Sequence, residues 1–262
     1  MEDKDYYSVL NSHWKKIRLE KEKNKHKAME IFVFGVFWFS ENKNDLPGLI
    51  LKLDNNKIHK SFFTKTKSWE INQGEKSIEM YLKNRNHKDF FIKIINLIIT
   101  KIHFEKLSDN ESIQLFFEEL NLAKDFFEDE ETPKKLKQES QIGLFGEIYI
   151  LSKLLTKKLL IKDSFLFWTG PFKKHDFTTD KILIETKTTT TSSKKINTSS
   201  TNQISPTFKK DLYLTFVQLS KSSSGLSLAK IIDEFYVKLK AVSNILANDF
   251  LLKLAKVKYF EI

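Results

Sequence analysis

The sequence predicts an α/β protein, α+β overall: a C-terminal mixed sheet flanked by helices, preceded by a small β-rich domain and connecting helices. Three observations carry that expectation. Strand-length apolar runs separated by turn residues crowd residues 1–84. Apolar side chains then recur at helical spacing through His87–His103 and Glu111–Phe127. From Glu139 onward the order is helix, strand, strand, polar segment, strand, helix. The expected boundaries are a β-rich domain at 1–84, a helical connector at 85–137 and an α/β core at 138–262.

The opening residues are expected to form a short helix or strand before the charged run KIRLEKEKNKHK. Ile31–Phe39 predicts one buried strand, with Gly35 as a bulge or close-packing point. Gly48–Leu53 and Ile58–Thr64 predict strands joined through Asp54-Asn55-Asn56, and Ser77–Lys83 alternates as another. The helix over His87–His103 gathers Phe90, Phe91, Ile94, Ile95, Ile98 and Ile102 on one face. The helix over Glu111–Phe127 has Ser108 or Asp109 as its N-cap, and Glu128–Lys137, which contains Pro133, breaks the pattern. Glu139–Leu155 is the next helix and Phe165–Pro171 a loop. A hairpin follows, with Thr178–Lys181 as its turn and Ile182–Lys187 as its second strand. Thr188–Lys195 and Asn197–Ile204 are polar, Leu212–Leu219 is a core strand, and Leu228–Ala247 is an amphipathic helix continuing toward Leu254.

Composition narrows the functional classes. Hydrophobic residues make up 40% of the 262, including 23 Phe, enough for a sizeable core. The absence of cysteine excludes thiolate zinc sites and disulfides and fits a reducing cytoplasm, the expected location. The start MEDKDYYSVL is unlike a signal peptide, and the densest apolar block, Ile31–Phe39, is too short to span a bilayer, so no membrane partner is expected. A net charge of +10 and a pI near 9.4 favour a polyanionic partner. The chain is rich in Lys, Asn, Ile and Phe throughout, and that bias alone gives the same balance. Its arginines are Arg18 and Arg85, so base recognition falls to Lys, Asn, Gln or shape.

The stretch HDFTTDKILIETK carries the chemistry. Side chains alternate along a strand, so Leu183, Glu185 and Lys187 share one face. A hairpin partner ending at Asp176 brings two carboxylates and an ammonium together, an arrangement suited to a divalent metal and a phosphate. Upstream, Glu147 is flanked on its helical face by Gly143, Leu144, Ile150 and Leu151, so its carboxyl points at the core and must be neutral, paired or near a cation. Gly143 and Gly146 let another segment approach that helix closely. The bland alternative is a salt-bridged, solvated strand face with a capping glutamate. His175 beside Asp176 raises a zinc or acid–base pair, but no second histidine lies at ligand spacing.

Five stretches in order resemble the PD-(D/E)XK nuclease superfamily: Gly143-Leu144-Phe145-Gly146-Glu147, Trp168-Thr169-Gly170-Pro171, His175-Asp176-Phe177, Glu185-Thr186-Lys187-Thr188-Thr189 and Ser199-Ser200-Thr201-Asn202-Gln203. The resemblance spans about residues 138–260. It is narrowest to a branch found among restriction-modification and phage-defence genes. His175 stands where the superfamily has proline, and a further segment would be expected after Phe260-Glu261-Ile262. The resemblance implies a restriction-endonuclease-like core and Mg²⁺ held by Asp176 and Glu185, with Mn²⁺ as a substitute and Glu147 completing the acidic cluster. It implies that Lys187 orients water or stabilises charge on phosphate. Gln203 would touch the ligand shell or DNA, and Lys173, Lys174, Lys194, Lys195, Lys209 and Lys210 would grip phosphates. The partners implied are double-stranded DNA, a second copy in a homodimer, and ATPase or methyltransferase proteins. Two other functions stay open: a catalytically weak DNA-binding or assembly module on the same fold, and a basic α/β protein whose charged hairpin is accidental.

Overall fold

Turn residues and apolar strand runs carry the first half of the chain into a five-stranded antiparallel sheet. The computed structural model describes residues 6–23, 29–42, 44–52, 67, 69–123, 136–171, 173–190, 210–255, 257 and 259. The chain divides into two compact units, Met1–Lys134 and Lys135–Ile262. The fold is mixed α+β, with seven α-helices and two sheets among the described residues. None of those helices is long and apolar enough to cross a membrane.

In the first unit, α1 (Tyr6–Lys23) precedes β1 (Met29–Phe34), β2 (Phe37–Glu41), β3 (Pro47–Lys52), β4 (Trp69–Gln73) and β5 (Ser77–Leu82). The single strand expected over Ile31–Phe39 is instead a hairpin. Gly35, at φ +49°, takes the left-handed conformation that lets β1 fold back on β2. The opening segment is a full helix, not a short element. Its Leu10, Trp14 and Ile17 recur at i, i+4, i+7 and are buried. Trp14 stacks on Phe39 at 4.1 Å and donates to Asn96 at 3.0 Å. The connector stretch contributes α2 (Lys88–Glu105) and α3 (Asp109–Leu122) to this unit, and Phe116 of α3 meets Phe37 of β2. Ser108 is the N-cap, and its amide donates to Glu111 at 3.0 Å. Strand β4 was not expected. The expected strand Ile58–Thr64 and turn Asp54–Asn56 lie outside the described residues, as do residues 124–135.

In the second unit, α4 (Gln138–Tyr149) runs into a π-turn over Ile150–Leu154. The expected loop before the hairpin is partly helical, as α5 (Ile161–Phe167). The hairpin forms as expected: β6 (Phe177–Thr178) pairs antiparallel with β7 (Ile182–Thr189), and β7 pairs parallel with β8 (Asp211–Gln218). The sheet is therefore mixed. The long C-terminal helix is broken at Ser243 (φ −161°, ψ 121°) into α6 (Leu228–Val242) and α7 (Asn244–Ala255). Ile148, Leu151, Phe165, Trp168, Phe235 and Phe250 are among the buried residues of one core. Burying Phe- and Trp-sized side chains contributes about 1.5–3 kcal/mol each. That core fixes α4, the hairpin and Trp168 with respect to one another.

Candidate functional site

The alternation of β7 places Glu185 and Lys187 on one side of the strand, where Lys187 Nζ donates to Glu185 Oε1 at 2.7 Å. Glu185 is 3% exposed. Its other oxygen, Oε2, is buried without a hydrogen-bond partner and lies 4.0 Å from His175 Nδ1. Asp176 stands just before β6, and its Oδ2 accepts from the Thr186 amide on β7 at 2.6 Å. One hydrogen bond thus ties the hairpin's first carboxylate to the residue between Glu185 and Lys187.

Glu147 reaches the same place from α4. A Cβ on Gly146 would collide with the Thr188 side chain, so glycine is what lets the helix lie against β7. Gly143, also expected to permit close approach, would have nothing within 4 Å of an added Cβ and plays no such part. The half-buried Glu147 accepts a hydrogen bond from the indole N–H of Trp168 at 3.0 Å.

The electrostatics follow from burial. Glu147 is pushed up to about 8, first by burial and then by the charge of Asp176, against the Trp168 hydrogen bond that favours the carboxylate. Asp176 is pushed up to about 7 by burial and the charge of Glu185, against the Thr186 amide. Both groups feel the ammonium of Lys187. Glu147, Asp176, Glu185 and Lys187 therefore share one electrostatic neighbourhood.

Other predicted residues fall elsewhere. Lys173 and Lys174 are exposed on the approach to Asp176. Lys210 donates to the Thr179 carbonyl at 2.7 Å, bracing the turn. Lys194, Lys195, Gln203 and Lys209 lie outside the described residues. Two further side chains stand at the site, Trp168 with no role assigned from sequence and His175 weighed there only as a zinc or acid–base partner of Asp176. Trp168 belongs to a quoted motif, but its partner is 21 residues away. His175 is buried, with neither ring nitrogen hydrogen-bonded.

The donor set suits a hard divalent cation, because it offers carboxylate oxygens and a buried, unpartnered Glu185 Oε2. Among the described residues, no three His, Cys, Asp or Glu side chains form a ready-made cage. Lys187 sits on one oxygen of Glu185, and protons are favoured on Glu147 and Asp176. A site that keeps most of a cation's waters needs only one or two carboxylates.

A mixed sheet whose hairpin carries Asp176, Glu185 and Lys187, backed by a helix glutamate, is a nuclease-like fold of the PD-(D/E)XK type. The model of the family described as "Putative PD-(D/E)XK family member, (DUF4420)" matches residues 10–262, and the chain belongs to that family. No curated protein and no solved structure matches the chain. Members of the superfamily are nucleases and phosphodiesterases that generally use divalent metals.

Proposed function

We propose that this protein is a Mg²⁺-dependent DNA endonuclease that hydrolyses phosphodiester bonds in double-stranded DNA, acting in the cytoplasm as part of a restriction or phage-defence system. The observation that carries this is the geometry of the hairpin: Asp176 Oδ2 accepts from the Thr186 amide between Glu185 and Lys187, and the buried Glu185 Oε2 has no hydrogen-bond partner. Asp176 and Glu185 would hold the ion and Glu147 would complete the set; Mn²⁺ would substitute. The bound ion supplies Lewis acidity toward the phosphate and lowers the pKa of bound water.

The chain's own residues do the rest. Asp176, tied to the Thr186 amide, presents its carboxylate in a fixed direction. Lys187, which shares a strand face with Glu185, would stabilise the negative charge developing on the phosphate or orient the attacking water. Exposed Lys173 and Lys174 hold backbone phosphates beside the site. A homodimer, or an ATPase or methyltransferase partner, fits the same proposal.

The test is supercoiled plasmid incubated with Mg²⁺, Mn²⁺ or EDTA. Nicking that requires metal and disappears in both Asp176→Ala and Lys187→Ala supports the enzyme. A second reading draws on the Lys187–Glu185 ion pair at 2.7 Å, which satisfies part of the site internally. On that reading the protein is a catalytically weak DNA-binding or assembly module. A gel shift with no cleavage under any metal condition would favour it.

A further inference from the structure

We propose that Trp168 is the positioning residue of this site: its indole N–H fixes one oxygen of Glu147, so that the carboxyl group meets Asp176 and Glu185 in a single orientation. This rests on the reading of those acids as a cation site and adds a residue to it.

The indole N–H is a donor only, and a buried one requires an acceptor. Trp168 is fully buried, and the acceptor it finds is Glu147 Oε2 at 3.0 Å. The ring cannot easily turn elsewhere. It packs against Phe250, with centroids 5.6 Å apart, and against Phe165 at 6.2 Å.

The backbone of Trp168 is also held where Asp176 is held. Trp168 forms an antiparallel bridge with Phe177, and the Thr169 amide donates to the Asp176 carbonyl at 2.9 Å. On the other side, Lys253 Nζ donates to the Trp168 carbonyl at 3.0 Å. The same two-residue segment therefore sets the backbone at Asp176 and the side chain of Glu147. The helix carboxylate of Glu147 and the Asp176 carboxylate just before β6 are kept in mutual register through one indole. Groups that orient a metal's ligands without touching the metal commonly account for about 10–100-fold in affinity.

Trp168→Phe keeps the ring and removes the donor. Its Mn²⁺ affinity, measured by calorimetry, is expected to weaken about 10–100-fold. Its KM for duplex DNA should stay unchanged, and its kcat should recover at saturating Mn²⁺. In a Glu147→Gln background the same change should have no further effect.

A second measurement leaves Trp168 intact. The chain has four tryptophans, hence four indole N–H signals in a ¹⁵N-labelled spectrum. One of them should both broaden on adding Mn²⁺ and move in Glu147→Ala. If wild type binds Mn²⁺ and Trp168→Phe binds it equally tightly, or if no indole signal responds to Glu147→Ala, the positioning role is overturned and the proposed function stands. Absence of Mn²⁺ binding by wild type overturns both.

Discussion

In the first unit, buried Glu41 lies 2.8 Å from Lys88 and buried Glu119 lies 2.9 Å from Lys101. In the second unit, Glu147, Asp176 and Glu185 share the field of Lys187. Both arrangements draw on the same glutamate- and lysine-rich composition. Removing the lysine from a pair of the first kind leaves a buried carboxylate uncompensated. The three acids of the second unit instead share the field of one lysine, and burial raises two of them, Glu147 and Asp176, toward the protonated form. On the proposed function, a site carboxylate is marked by an excess of acids over bases around it rather than by burial alone.

The largest expected effect separates the two kinds of lysine by activity. Lys187→Met should slow metal-dependent nicking by on the order of 10²–10³-fold, the loss typical of one transition-state charge stabiliser. Lys88→Met, per folded molecule, should leave the rate unchanged. Equal effects in a plasmid assay would erase the distinction.

Stability should respond in the opposite sense. Lys88→Met leaves Glu41 buried without its lysine and should cost about 3 kcal/mol by urea unfolding. In the second unit the folded carboxyls are raised to about 7 for Asp176 and about 8 for Glu147, against ordinary values of 3.8 and 4.5. Folded protein therefore binds protons more tightly than unfolded protein between these limits. The stability they contribute is complete below their ordinary values and is lost as pH rises through 7 to 8. Metal-free protein should lose stability from pH about 4.5 to 8, and Asp176→Asn with Glu147→Gln should flatten that slope. A wild-type profile that rises over this interval, and that the double variant leaves unchanged, would contradict the assignment.

Smaller effects sharpen the comparison. Gly146→Ala pushes α4 off Thr188 and should cost about 1–3 kcal/mol by thermal or urea unfolding. It should weaken Mn²⁺ binding as well, because α4 carries Glu147. Smallest is the salt effect. Lys173→Ala or Lys174→Ala should each lower the slope of log affinity for DNA against log salt by about 1. An unchanged slope would remove them from the phosphate contacts.

Much of the candidate site's geometry was legible because its signals are local. Period-two alternation put Glu185 and Lys187 on one face, and the turn Thr178–Lys181 folded Asp176 back toward them. Glu147 stood out as an acid amid apolar helix neighbours, and Gly146 as a place for close approach. What was missed lacks a local signature. Ile31–Phe39 is apolar through its own turn, so only the positive φ of Gly35 reveals two strands. The break at Ser243 sits inside an uninterrupted helical pattern. Dense charge along α1 masked the buried stripe Leu10, Trp14, Ile17. Trp168 resembles any core aromatic until its N–H is traced across the fold to Glu147.

The most direct test is a crystal of the protein soaked in Mn²⁺ at pH 8, examined by anomalous diffraction. The account expects a single strong peak within about 2.5 Å of carboxylate oxygens from both Asp176 and Glu185, with Lys187 moved off Glu185. Density with no peak there, or a peak elsewhere while Lys187 remains on Glu185, would contradict it.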